Sequence, residues 1–354
     1  MKLNVTQLLE QVLKLNASDL HLAIGQVPTV RINTKLQLLS DYDPMSIEDM
    51  DFFLSQILER EQLDILDVNK ELDFSVALGT KARFRVNAFY QRGYVSVAMR
   101  LISMKIPTLK DLSLPPIVEK FCEMKQGLVL VVGPTGHGKS TTIASMIDHI
   151  NTNRAEHIVS IEDPIEYTFV NKKSLIDQRE MFIDSHSWDV ALKSVLRQDP
   201  NVVMIGEMRD EATMSATLEI AETGHLVFGT LHTNSASQSV ERIISSFPEA
   251  KQNQIRVQLS QVLEVIVSQR LIPSTKGGVI PALEIMLATD AVRNLIREGK
   301  THLLDNAIQT AANQGMVTLE RSLATLVDSG NVDVSDAMKW TLRPDELRRL
   351  LKGR

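Results

Sequence analysis

Apolar residues in the first part of the chain recur at two different spacings. Leu8, Leu9 and Val12 follow the period of a helix, and so do the apolar residues within 47–66. Residues 27–38 have the pattern of a hairpin. The beginning of the chain is therefore predicted to mix helices with strands, as in an α/β domain.

Three later segments alternate large apolar residues with other residues, at 74–78, 84–88 and 95–101. Successive side chains of a strand point to opposite faces, so each segment predicts a strand with one apolar face. The other face of the predicted sheet carries Arg83, Arg85 and Arg100. Guanidinium groups can stabilise charge on a phosphoryl group during transfer, but surface salt bridges or simple solvation also account for exposed arginines.

From residue 128 onward, short apolar strands alternate with helices. The strands are predicted at 128–132, 157–161, 202–205 and 226–229, and the helices at 139–150 and 210–222. This alternation is typical of a parallel sheet covered by helices. From about residue 289 the chain is predicted to be helical, with Asp290 as the N-cap and Gly299 just past the end of the segment 291–298.

Prolines separate these two parts of the chain. Pro107, Pro115 and Pro116 fall within the stretch 106–117. We expect a first domain over residues 1–112, a linker over 113–122, and a second domain over 123–354 with its last helices at about 289–354.

The composition is that of a globular protein, with 44% hydrophobic and 23% charged residues among 354. The net charge of −6 gives no electrostatic footprint for nucleic acid. The lone cysteine, Cys122, excludes an intramolecular disulfide and a multi-cysteine zinc site, and it suits a reducing compartment. No run approaches the roughly 20 apolar residues that cross a bilayer. Contact with a membrane is therefore expected only through partners.

The strongest signal for chemistry is a segment that matches the phosphate-loop pattern G-x-x-x-x-G-K-[ST]. Its residues are Gly133, Pro134, Thr135, Gly136, His137, Gly138, Lys139 and Ser140, followed by Thr141. Glycines let the backbone turn its N–H groups toward anionic oxygens, and the following helix adds its positive N-terminal end. Lys139 can reach the β- and γ-phosphates, and the Ser140 hydroxyl can ligate Mg²⁺. A strand before the loop and a helix after it are the required context, so ATP with Mg²⁺ is the predicted ligand.

Acidic residues follow two apolar strands of the predicted parallel sheet. Glu162 and Asp163 follow the first strand, and Glu207 follows the second. Ligands of such sheets bind beyond the carboxyl ends of the strands. Glu162 or Asp163 can hold a water against the γ-phosphate, and Glu207 has the Walker B position, where a carboxylate binds Mg²⁺ directly or through water. A solvated acidic loop and an ordinary strand-end glutamate are the alternatives.

Two histidines bracket the predicted strand 226–229. His225 precedes it and His232 follows it closely. A histidine can sense the γ-phosphate by hydrogen bonding, although a lone histidine is more often structural. A metal site built on these two histidines lacks an evident third protein ligand.

Four motifs therefore stand in one order along the chain: the phosphate loop, residues 161–164, residues 205–207 and residues 223–233. This order resembles the secretion and type IV pilus ATPases of the GspE/PilT superfamily, whose corresponding motifs are Walker A, the Asp box, Walker B and the His box. The resemblance covers nearly the whole chain, beginning near residues 17–22.

Within that superfamily the chain is similar to the retraction ATPases of twitching motility. Residues 291–298 resemble their helix motif, with Val292 where isoleucine is usual. The chain is expected to lack the extra N-terminal domain of the assembly and type II secretion ATPases, and it has no four-cysteine cluster. His137 is a departure, because the family's loop usually has a small residue there. Nucleotide binding is expected to survive, since the backbone of this residue faces phosphate.

The resemblance implies an N-terminal PAS-like α/β domain and a C-terminal RecA-like P-loop ATPase domain with a helical tail. It also implies a role for each matching residue. Lys139 and Ser140 bind phosphate and Mg²⁺, Glu162 activates the water, and Glu207 completes the magnesium site. His225 and His232 belong to the His box. Arg83, Arg85 and Arg100 are candidates for the arginines that a neighbouring N-terminal domain supplies.

The resemblance further implies a homohexameric ring that hydrolyses ATP to drive pilus retraction. Its expected partners are an inner-membrane platform protein and an accessory retraction ATPase, and its expected place is the cytoplasmic face of the inner membrane. A pilus-assembly or type II secretion ATPase and an accessory ring subunit stay open as alternatives. A nucleic-acid translocase is disfavoured by the acidic charge, and a small-molecule kinase by the lack of an evident acceptor-binding lid.

Overall fold

A computed structural model of the chain describes residues 4–32, 35–79, 81–102 and 105–352. It divides into two compact units. The first comprises Met1–Lys105 with Glu166–Thr168, and the second comprises Ile106–Ile165 with Phe169–Arg354. The assignment of residues 113–122 as a linker stays a prediction.

The described residues of the first unit form a six-stranded antiparallel sheet and three helices. The strands are β1 (Asp19–Ala23), β2 (Thr29–Ile32), β3 (Lys35–Leu38), β4 (Glu71–Leu78), β5 (Ala82–Gln91) and β6 (Tyr94–Ile102), and the helices are α1 (Val5–Lys14), α2 (Ile47–Ile57) and α3 (Arg60–Asn69). The strands lie side by side in the order β3-β2-β1-β6-β5-β4. The predicted alternation is confirmed on β5, where Phe84, Val86 and Ala88 are buried in the core of the unit.

The single helix predicted over residues 47–66 was wrong, since two helices occupy this stretch. Leu58 is extended, with φ −118° and ψ 142°, and Glu59 is the extended N-cap of α3. The Glu59 N–H donates to Gln62 Oε1 at 3.0 Å. A side chain that satisfies an N-terminal donor starts a new helix, and the apolar period alone does not reveal such a start.

The described residues of the second unit form a seven-stranded sheet. Its strands are β7 (Gly127–Val132), β8 (His157–Glu162), β9 (Leu175–Glu180), β10 (Val202–Ile205), β11 (Leu226–Leu231), β12 (Leu263–Pro273) and β13 (Val279–Leu287). They lie in the order β13-β12-β7-β11-β10-β8-β9, and all neighbours are parallel except the antiparallel pair β12 and β13. Every residue of β7 is buried, as expected for a parallel strand covered on both faces.

Helices surround this sheet and form the C-terminal part of the unit. They are α4 (Ile117–Glu123), α5 (Lys139–Asn153), α6 (Trp188–Val195), α7 (Glu211–Glu222), α8 (Ala236–Ser245), α9 (Glu249–Val262), α10 (Asp290–Arg297), α11 (Leu304–Thr310), α12 (Leu319–Asp328), α13 (Val334–Trp340) and α14 (Pro344–Lys352), with 3₁₀ turns at Thr301–Leu303 and Ala312–Gln314. No helix in the described part of the chain is long and apolar enough to span a bilayer.

The ends of α10 partly follow the sequence prediction. Gly299 has a φ of +71° just past the helix, as predicted. The predicted N-cap Asp290 was wrong, because Thr289 accepts the Val292 N–H with its hydroxyl and Asp290 is the first helical residue. Apart from such boundaries, the predicted α/β fold class with C-terminal helices is confirmed.

Candidate functional site

The carboxyl ends of β7, β11, β10 and β8 lie next to one another along the parallel sheet. The phosphate loop follows β7, and His232 follows β11 directly. Glu207 lies two residues after β10, and Glu162 is the last residue of β8. Because the strands run in one direction, these groups meet at one edge of the sheet, the edge where such sheets bind ligands.

The phosphate loop has the backbone conformation that its glycines predict. Gly133, Gly136 and Gly138 have φ values of +147°, +80° and +75°. A Cβ at Gly133 would overlap the carbonyl oxygen of Gln269 on β12. The loop leads into α5 at Lys139, so a helix N-terminus with its positive dipole end adjoins the space above the loop.

Lys139 is folded over the loop and is 7% exposed. Its ammonium donates to the carbonyl oxygens of Gly133 at 2.8 Å and Pro134 at 3.0 Å. These oxygens compensate the burial of the charge. An incoming phosphate would offer the same ammonium charged acceptors, which form stronger hydrogen bonds than carbonyl oxygens do.

His232 connects the loop to the Walker B acid. Its Nδ1 lies 3.1 Å from Thr135 Oγ1 and 3.4 Å from Lys139 Nζ, and its Nε2 lies 3.1 Å from Glu207 Oε1. An ammonium can only donate, so Nδ1 acts as the acceptor toward Lys139 and the ring proton is on Nε2. The Nε2–H therefore donates to Glu207.

Glu207 has a second partner that the sequence analysis missed. Arg209 Nε lies 2.9 Å from Glu207 Oε2, and Arg209 Nη1 lies 3.7 Å from Asp163 Oδ2. Arg209 thus links the acid after β10 to the acid after β8. An arginine two positions beyond the Walker B acid was the available sequence signal.

Glu162 is oriented by polar side chains of the β8–β9 pair. It is 4% exposed, and its Oε1 accepts hydrogen bonds from Ser160 Oγ at 2.6 Å and Gln178 Nε2 at 3.1 Å. The strand register places Ser160 opposite Gln178. Glu162 is therefore a buried carboxylate in a fixed position, whereas its neighbour Asp163 is the acid tied to Arg209.

The donors at this edge fit Mg²⁺. Ser140 in the first turn of α5 and Glu207 provide hard oxygen atoms, the ligands that Mg²⁺ takes together with phosphate oxygens and water. Among the described residues there is no group of three or more His, Cys, Asp or Glu side chains that could hold a metal ion alone. Ser140 and Glu207 therefore offer only part of a coordination shell, which suits an ion that also takes phosphate and water oxygens.

His225 lies apart from this group. It precedes β11, and His232 follows the six residues of that strand, which span about 20 Å. Its Nδ1 lies 2.9 Å from Thr223 Oγ1 and 3.1 Å from the carbonyl oxygen of Ile220. A role for His225 in the site stays a prediction.

The three predicted arginines lie on β5 and β6 of the first unit. Arg83 donates to Ser75 Oγ at 2.6 Å, and Arg100 donates to Asp19 Oδ1 at 2.9 Å. Arg85 is exposed and lies directly opposite Arg100 in the strand register. Their contact with a nucleotide stays a prediction.

Gln269 on β12 is a further loop contact that the sequence analysis missed. Its Nε2 donates to the carbonyl oxygen of His137 at 2.8 Å, and its Oε1 accepts from Thr142 Oγ1 at 2.8 Å. One side chain therefore holds both the phosphate loop and the first turns of α5. The sequence analysis did not connect Gln269 with the phosphate loop because it did not predict strand β12.

Comparisons with known proteins agree with this arrangement. A family model for type II/IV secretion system proteins matches residues 1–278. The chain is 40% identical over 343 residues to the type IV pilus retraction ATPase PilT of Pseudomonas aeruginosa, covering 97% of this chain and 99% of that protein. It is 39% identical over 347 residues to the type IV pilus ATPase PilU of the same organism, covering 98% and 91%. A crystal structure of the pilus retraction motor PilT with bound ADP has a TM-score of 0.92 at 43% identity, over 98% of this chain and 99% of that chain. The resemblance predicted from the four motifs is confirmed.

Proposed function

The chain belongs to the type II/IV secretion system protein family and is an ATP-hydrolysing enzyme, and we propose that it works as a homohexameric motor that retracts type IV pili. The observation that carries the proposal is the chain of contacts from the phosphate loop through His232 to Glu207. It couples the group that binds the γ-phosphate to the acid at the metal position. The likeness to PilT over nearly the full length supports retraction as the output.

The site residues divide the work of hydrolysis. Lys139 exchanges the carbonyl oxygens of Gly133 and Pro134 for the β- and γ-phosphate oxygens. Ser140 and Glu207 would hold Mg²⁺ when it is bound with ATP, where it would neutralise charge on the phosphates. Glu162, fixed by Ser160 and Gln178, orients and deprotonates the attacking water.

The arginines are proposed to act on the nucleotide of a neighbouring copy in the ring. Like charges directly opposite each other on adjacent strands destabilise a sheet, and Arg85 and Arg100 form such a pair. Asp19 compensates Arg100 in part. A polyanion such as a triphosphate would relieve the remaining repulsion, which favours Arg85 and Arg100 over Arg83 for this role.

The proposed partners follow from the proposed output. The motor would act on an inner-membrane platform protein at the cytoplasmic face of the membrane. The 39% identity to PilU also supports an accessory retraction ATPase as a partner. The proposal includes no nucleic acid, in keeping with the net charge of −6.

Turnover of the purified chain with Mg-ATP, measured together with its mass in solution, tests the enzyme and the ring. Lys139→Ala should lower turnover at least about 100-fold, because it removes the cation at the transferred phosphate. Lys193→Ala is the matched control, since Lys193 is an exposed lysine on α6 paired with Asp189. Normal turnover of Lys139→Ala would refute the assignment of the loop, and turnover by monomers would refute the ring.

Deletion of the gene in its own bacterium tests the direction of the motor. Loss of a retraction motor leaves surplus pili that do not retract, and cells lose twitching. Loss of pili altogether would instead identify an assembly ATPase. Complementation with Lys139→Ala should fail to restore twitching, whereas Lys193→Ala should restore it.

A further inference from the structure

The phosphate loop lies against a strand that extends past it. The pairing of β12 with β7 ends where Ser268 lies opposite Val132. β12 continues to Pro273, so its residues after Ser268 run beside the loop. The overlap that a Cβ at Gly133 would make with Gln269 shows how closely the two segments approach.

His137 fastens the tip of the loop to this strand. The backbone N–H of Leu271 donates to His137 Nδ1 at 2.9 Å. Burial, together with the positive charges of Arg270 and Lys139, lowers the pKa of His137, which favours the neutral ring that this hydrogen bond requires. His137 lies between Gly136 and Gly138, both with positive φ. Because glycine restricts the backbone little, the side-chain contacts of His137 have a large part in fixing the shape of the loop.

The other contact of the His137 ring is Trp340, the last residue of α13. The two ring centroids are 5.0 Å apart and the planes meet at 74°, which is a T-shaped pair. Trp340 also packs against the apolar cluster that includes Ile272 and Leu319. It is therefore part of the C-terminal helices and a neighbour of the phosphate loop at the same time.

Trp340 is held in place by the residues that follow it. The buried carboxylate of Glu320 accepts hydrogen bonds from Thr341 Oγ1 at 2.9 Å and from the backbone N–H groups of Leu342 at 3.1 Å and Arg343 at 3.0 Å. These bonds anchor the chain just after α13. The indole is thus a fixed support for the loop.

We propose that Trp340 is a positioning residue for the ATPase reaction, which holds the phosphate loop through His137 and couples nucleotide binding to the C-terminal helices. The inference rests on the proposed ATPase function and goes beyond it, because it assigns a loop contact to the C-terminal helices. A small residue at position 137 could make neither the Leu271 nor the Trp340 contact.

A double-mutant cycle on KM for ATP tests the proposal. Trp340→Ala should raise KM about three- to tenfold, the range that a lost T-shaped pair supplies, with kcat changed less than twofold. Trp340→Phe retains an aromatic ring and should stay close to wild type. In a His137→Ser chain, Trp340→Ala should have little further effect. The proposal would be overturned if Trp340→Ala raised KM equally in the wild-type and His137→Ser chains. It would also be overturned if Trp340→Ala left the KM of the wild-type chain unchanged.

Tryptophan fluorescence tests the coupling in a chain that keeps the indole. The sequence has two tryptophans, so Trp188→Phe leaves Trp340 as the only one. Titration with Mg-ADP should change the emission of Trp340, and His137→Ser should abolish most of that change while a labelled nucleotide still binds. An unchanged emission upon binding in the Trp188→Phe chain would overturn the coupling. Lack of turnover in the wild-type chain would contradict the proposed function instead.

Discussion

Glu284 on β13 is a buried acid whose charged form the fold disfavours. It is 2% exposed, and its Oε1 accepts the N–H of Ala236, the first residue of α8, at 2.7 Å. Burial raises its pKa from 4.5 to about 7, and Asp305 and Glu320 add to the rise, while the Ala236 N–H and Arg343 oppose it. Glu284 thus fixes the start of the helix that follows the His232 segment.

The pKa shift makes stability depend on pH. Below pH 4.5 both the folded and the unfolded chain carry the proton, so the full contribution to stability is present. As the pH rises from 4.5 to 7, the unfolded chain loses the proton first, and the folded state loses stability. The loss amounts to about 3 kcal/mol above pH 7, because each pKa unit corresponds to ~1.4 kcal/mol. Glu284→Gln removes this loss, since the amide is neutral and its oxygen can still accept the Ala236 N–H.

Thermal unfolding of nucleotide-free protein between pH 5 and pH 8.5 measures the effect. Glu284→Gln should differ little from wild type at pH 5 and should unfold about 6–12 °C higher at pH 8.5, since each kcal/mol shifts the midpoint by ~2–4 °C in a unit of this size. The control is Glu219→Gln, which changes an exposed glutamate on α7. A difference between Glu284→Gln and wild type that stays constant across the pH range would refute the reasoning.

Three further predictions concern single residues. Glu162→Gln should bind ATP but lower turnover at least about 100-fold, whereas a normal rate in a turnover assay would move the base to Asp163. Gly133→Ala should weaken ADP binding at least about tenfold in calorimetry, because its Cβ overlaps the Gln269 carbonyl oxygen; unchanged affinity would show that the loop adapts. Cys122 is buried and its pKa is raised to about 12, so a thiol reagent at pH 8 should modify it only in urea, and rapid labelling of the folded chain would contradict its burial.

The parallel core of the second unit was predictable because its strands are continuous apolar runs. β7, β8, β10 and β11 appear in the sequence as short runs bounded by glycine, proline or acidic residues, and each run ends at a group with recognisable chemistry. The phosphate loop, Glu162, Glu207 and His232 could therefore be proposed as site residues from the sequence. Their meeting at one edge follows from parallel strands.

Strand β12, which lies beside the phosphate loop, was not predictable in the same way. Residues 263–287 form the long pair β12 and β13, but their apolar residues were not separated from those of neighbouring helices by period alone. Gln269 and Leu271 were consequently not connected to the loop. Likewise, Trp340 gains significance only from its contact with His137, which is far away in the sequence. Arg209 follows Glu207 by two residues, but its link to Asp163 is visible only in the folded chain.

The position of β7 between β12 and β11 gives the phosphate loop two neighbours with different consequences. On the β11 side, a path of contacts runs from Lys139 through His232 to Glu207, the proposed magnesium ligand. On the β12 side, a path of contacts runs from His137 in the loop to Trp340 in the C-terminal helices. Because the two paths share only the loop, they should be separable.

Glu207→Gln combined with Trp188→Phe separates them. The change lies on the β11 path, so it should slow hydrolysis strongly while the Trp340 emission still responds to Mg-ADP. His137→Ser in the Trp188→Phe chain, with Glu207 intact, should have the opposite profile. Hydrolysis should be retained at saturating ATP, and the change in Trp340 emission upon Mg-ADP binding should be lost. If Glu207→Gln abolished the response of a chain that still binds labelled ADP, the two paths would act as one network. The phosphate loop would then have to move as a single unit with its contacts on the β11 side and on the β12 side.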